Sequence, residues 1–180
     1  MNGEIAALLV QDGLVNGAIY ALLALALVLV FAVTRVIFLP QGEFVAFGAL
    51  TLAMLQSGAF PGTVWLLLGT GLILAIRDGA GLVRRRKWGD LWKVLASDLL
   101  LPLLLALLLY FVAPMQLGFW INVPLTLLIV VPMGPKIYRL AYEPIAEAPV
   151  LVLLMVSVAV HIALVGLGLL FFGPEGVRTD

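Results

Sequence analysis

The feature that most constrains this chain is the recurrence of apolar runs near the ~20-residue length that an α-helix, rising 1.5 Å per residue, needs to cross a bilayer core. Runs at about 13–33, 43–60, 62–76, 92–113, 118–135 and 150–172 predict an all-α, polytopic transmembrane helix bundle of about six spans. The second and third runs are short and divided only by Gly58, Phe60, Pro61 and Gly62, so a re-entrant pair is the alternative to two crossings. Composition agrees: 64% of residues are hydrophobic and 11% charged, against roughly a quarter charged in soluble domains. A water-soluble fold is excluded, and one membrane domain over 1–180 is expected. The first run follows Glu4 and Asp12, with no lysine or arginine before Arg35, so it reads as a retained helix rather than a cleaved signal.

Net charge is zero, which makes the placement of the basic residues the informative quantity. Arg35 follows the first run. Arg77, Arg84, Arg85, Arg86, Lys87 and Lys93 follow the third, and Lys136 with Arg139 follows the fifth. Basic connections stay on the cytoplasmic side, so segments 77–93 and 136–149 are predicted cytoplasmic and the amino terminus outside. The Arg84–Lys87 cluster fixes orientation, and the same charge attracts acidic lipid headgroups or an acidic protein face. Trp88 and Trp92 mark the inner edge of the fourth span, Asp90 suits a helix cap, and Asp98 lies about two turns further in, hard to explain as surface decoration.

Polar residues inside the runs are the candidates for function. Asn16 and Tyr20 share a helix face, as do Ser157 and His161, the chain's single histidine. Gln41 and Glu43 belong to a stretch, Arg35 to Phe44, where proline, glycine and an acid interrupt two apolar runs, and broken backbone at membrane depth is stable only inside protein. For all six, lining of a translocation pathway competes with interhelical hydrogen bonding, and for Glu43 also with capping at a helix N-terminus. Gly13, Gly17 and Ala21 recur every four residues as a helix-packing face. Pro102, Pro124 and Pro132 bend apolar helices. Arg35, Pro40 and Glu43 have the spacing of Arg139, Pro144 and Glu147, the pattern an internal repeat would leave.

No phosphate-cradling glycine loop, nucleophilic triad or paired carboxylates stands out, so no catalytic residue is assigned. Cysteine is absent and His161 lacks companion ligands, so neither metal nor cofactor is expected. Nothing in the charge pattern suggests nucleic acid. ATP-driven transport would need its ATPase on another chain.

The segment Gly13-Leu14-Val15-Asn16-Gly17-Ala18-Ile19-Tyr20-Ala21-Leu22 resembles the opening helix of the branched-chain amino acid permeases of ABC importers. Arg35-Val36-Ile37, Gly42-Glu43-Phe44, and Arg139 to Pro144 followed by an apolar run and Phe172-Gly173-Pro174 are similar too. The resemblance implies a permease subunit of a bacterial cytoplasmic membrane, embedded in membrane lipid and importing branched-chain amino acids or related small solutes. Its partners would be a second permease subunit, cytoplasmic ATPase subunits and a periplasmic substrate-binding protein. Family members have asparagine-phenylalanine-alanine-histidine before Gly-Glu-Phe, where this chain has Phe38-Leu39-Pro40-Gln41. They also continue beyond the position of Asp180, so the resemblance covers their N-terminal part. A secondary transporter or channel using Asp98, Glu43 and His161 as coupling groups, and a non-transporting scaffold, are the alternative functions.

Overall fold

The computed structural model describes residues 3–84, 92, 96–115 and 117–174. Among these, all regular structure is helical. Helix α1 is Gly3–Thr34, α2 Gln41–Gln56 and α3 Thr63–Arg84. A π-helical turn, Ala96–Leu100, runs into α4, Leu101–Val112, which ends in a short 3-10 turn. Helix α5, Phe119–Ile137, continues through a second π turn, Tyr138–Tyr142, and a 3-10 turn, Glu143–Ile145, before α6, Val150–Phe172. Five helical segments are long and apolar enough to cross a membrane, in keeping with a multi-pass bundle.

Of the about six expected spans, the second is the one that stays short. Helix α2 has 16 residues, about 24 Å of rise, too short to span alone. Its partner in the alternative re-entrant pair, α3, is a full-length helix. Contacts show how the chain compensates. Val36 packs with Leu153 and Tyr142, Glu43 reaches His161, Phe47 lies against Gly168, and Gly62 abuts Phe171. From Val36 to Gly62 the polypeptide thus follows nearly the whole length of α6, the first part as non-helical backbone and the rest as α2.

Helix boundaries differ elsewhere too. Helix α1 starts ten residues before the expected Gly13, because Glu4, Gln11 and Asp12 interrupt hydropathy but not helical backbone. Helix α3 carries on through Arg77 and Asp78 to Arg84, so the first half of the 77–93 connection is helical. Arg85, Arg86, Lys87, Trp88, Asp90 and Lys93 lie outside the described residues. The 136–149 connection likewise opens as helix, since Lys136 is still in α5 and Arg139 in the π turn. The suggested internal repeat does not extend to structure. Arg35 directly follows α1 at φ 58° and Pro40 precedes α2 directly, whereas Arg139 is helical, Pro144 sits in a 3-10 turn and Glu147 is exposed.

The core lies between α2, α3, α4 and α5, where Phe47, Leu55, Leu67, Leu109, Ile129 and Met133 are almost fully enclosed. Thr51 on α2 gives its hydroxyl to the Phe47 carbonyl at 2.6 Å and lies 2.7 Å from the Thr63 hydroxyl, an interhelical contact that keeps both polar groups satisfied in an apolar interior. Helix α6 attaches along one face, through Leu153, Ser157 and Leu164. Helix α1 buries no residue.

Candidate functional site

Two centres of charged side chains occur within the bundle among the described residues. The first is built around Asp98, 1% exposed, in the π turn that opens α4. Pro102 has no N–H to offer the carbonyl four residues earlier, that of Asp98. Lys136 Nζ donates to this carbonyl at 2.9 Å and stands 3.7 Å from the carboxylate. Arg139 donates to Asp98 Oδ1 at 2.6 Å and to Asp78 Oδ2 at 2.6 Å, its planar fork joining acids from two elements. Arg77 extends the cluster outward, donating to the Arg139 carbonyl at 2.6 Å and lying 3.6 Å from Glu143. Gly71 makes the arrangement possible, because a Cβ there would collide with the Asp98 carbonyl oxygen and crowd Pro102. Every charge in this cluster has an opposite neighbour, and the six residues close one end of the bundle.

Sequence reasoning singled out Asp98, Pro102, Lys136 and Arg139 separately. The link between them depends on pairing residues 38 to 41 positions apart, which no local pattern announces. Lys136 and Arg139, expected on a cytoplasmic loop, are placed here on helical backbone, Lys136 with 7% of its side chain exposed. Of the Arg84–Lys87 cluster, Arg84 is the last residue of α3.

The second centre joins α2 to α6. Glu43, in the first turn of α2, brings Oε1 to 3.2 Å from Nδ1 of His161. The distance suits an ion pair, yet Nδ1 is shielded from solvent and forms no hydrogen bond, so the ring N–H direction misses the carboxylate. His161 is the twelfth of 23 residues in α6, close to the helix midpoint, and the N-terminus of α2 therefore begins near half depth. One turn below, Ser157 and Tyr142 face each other across 2.9 Å, both fully buried. Tyr142 packs on Phe38, which in turn meets Phe44, so aromatic contacts secure the non-helical stretch before α2.

The sequence candidates thus separate. Glu43 and His161 meet, half-buried Gln41 starts the same helix turn as Glu43, and Ser157 lies one turn from His161 but is engaged by Tyr142. Asn16 and Tyr20 stand apart on the exposed surface of α1, as do Gly13, Gly17 and Ala21, with nothing within 4 Å of where a Cβ on either glycine would lie. Tyr142 was not singled out. An aromatic hydroxyl in a predicted loop offered no sign that it would be enclosed.

Residues 9–87 match the model of a protein family described as the branched-chain amino acid transport system / permease component. The match takes in most of α1, all of α2 and α3, and Glu43, so the resemblance read from the opening helix and the Gly-Glu-Phe stretch holds over this N-terminal part. It fits a transport subunit rather than an enzyme. No curated protein and no solved structure matches the chain.

Proposed function

We propose that this chain is a membrane-spanning permease subunit of an ATP-driven importer for branched-chain amino acids or related small solutes. The observation that carries the reading is the interrupted crossing: within the permease-like stretch, α2 starts near half depth, beside a carboxylate and an imidazole. Helices broken at the midplane are where many transporters bind solute, since backbone off the helical path is tolerated only where it lines a cavity or is enclosed. Gln41, Glu43 and His161 then line the pathway, with Ser157 and Tyr142 holding its lower wall. Asn16 and Tyr20, unpartnered among the described residues, suit contact with the second permease subunit, because lipid cannot satisfy an amide.

The basic end faces the cytoplasm in this reading, with the amino terminus outside. ATP binding and hydrolysis fall to partner ATPases at that end, and solute is delivered outside by a substrate-binding protein. Purification with such ATPases and reconstitution into proteoliposomes tests it: leucine uptake should require ATP. The titratable Glu43 and His161 pair favours one competing reading, a secondary transporter. Uptake driven by a proton gradient without ATP would establish that reading and remove ours.

A further inference from the structure

We infer that Glu43 receives the ammonium group of the solute at mid-membrane, on a water-lined face formed by α2 and α6. This rests on the permease reading and names the solute chemistry of that site. Among the described residues, the other acids at least partly enclosed in the bundle already have cations: Asp98 has Lys136 and Arg139, and Asp78 has Arg139. Among the described residues Glu43 has only an imidazole 3.2 Å away, whose Nδ1 makes no hydrogen bond to it. With the ring N–H turned aside, this carboxylate receives no donor from the imidazole at a depth where lipid offers none.

The space beside Glu43 is of the right kind. Phe44 on one side is turned inward toward Phe38 and Gly134. On the other side Gly42, Ala46 and Ala49 are all exposed, and nothing lies within 4 Å of where a Gly42 Cβ would be. These residues follow one another at helical spacing, so they form a shallow small-residue wall beside a half-enclosed acid. An ammonium group brings three donors and a full charge to such a carboxylate. A metal ion is a poorer fit, because no group of three or more metal-ligating side chains occurs among the described residues.

These 180 residues contain no cysteine, so the complex without an introduced cysteine serves as the background for each single-cysteine variant. In the complete importer complex, Gly42→Cys and Ala46→Cys should react with a membrane-impermeant methanethiosulfonate, whereas Leu107→Cys, on the outer face of α4, should not. Leucine should slow the reaction and its α-keto acid analogue, which lacks the ammonium, should not. Glu43→Gln should abolish the protection and weaken leucine binding about tenfold or more, the loss expected for a charge-assisted contact, with Glu43→Asp recovering part of it. Leucine uptake by the parent complex is measured alongside. Uptake with unreactive Gly42→Cys and Ala46→Cys, or with equal protection by both solutes, overturns this inference and leaves the permease reading standing. Absence of ATP-dependent uptake overturns both.

Discussion

Asp98 and Glu43 are both carboxylates inside a bundle of apolar helices, yet their surroundings are opposite. Asp98 is sealed, and two cations and a backbone contact converge on it. Glu43 is a fifth exposed, and its one close neighbour is misaligned. A buried charge whose partners are all in place holds helices in register, and removing one partner strands the others. An acid left short of donors contributes little to stability and remains available to a passing ligand. The first centre is suited to holding the fold, and the second is the one to which the proposed reading gives function.

The comparison breaks most visibly at Asp98. Asp98→Ala strands Lys136 and leaves Arg139 with Asp78 alone, and should destabilise the protein by about 3–5 kcal/mol, read as a large fall in melting temperature in detergent. Stability unchanged would mean that the cluster is idle. Next in size, Gly71→Ala drives a methyl into the Asp98 carbonyl and should cost roughly 1–3 kcal/mol by overpacking, while Gly69→Ala, one residue pair away in open space, should be nearly neutral. Similar effects at both positions would dissolve the close-approach argument. Tyr142→Phe removes a hydroxyl paired with Ser157 and should cost about 1 kcal/mol. The smallest stability effect is expected for Glu43→Gln, under about 1 kcal/mol, since a partly exposed contact without hydrogen-bond geometry contributes little. Its consequence should appear in uptake instead. A loss at Glu43 as large as that at Asp98 would erase the distinction between the two centres.

Some of this was readable from the chain directly. The apolar runs at 118–135 and 150–172 returned as α5 and α6 with boundaries within two residues, because helix length and hydropathy are local properties. Asp98 was conspicuous for the same reason, an acid inside an apolar run. The second run, 43–60, returned as the short α2, but hydropathy does not tell what the interrupted stretch before it packs against. Packing of Val36, Phe38 and Tyr142 decides that, and these residues come from segments a hundred positions apart. His161 and Glu43 were each candidates, but their 3.2 Å approach depends on how α2 crosses α6.

Sequence by itself determined that this polypeptide lives in lipid as helices, since without water every backbone amide must be satisfied within its own segment, and long apolar runs leave no other solution. It also determined which side chains are too polar to sit there unexplained. Tertiary structure alone decided which of them are compensated. Electrostatic satisfaction depends on distance and direction, and in this fold the groups that meet Asp98 and Glu43 come from helices far away in the chain.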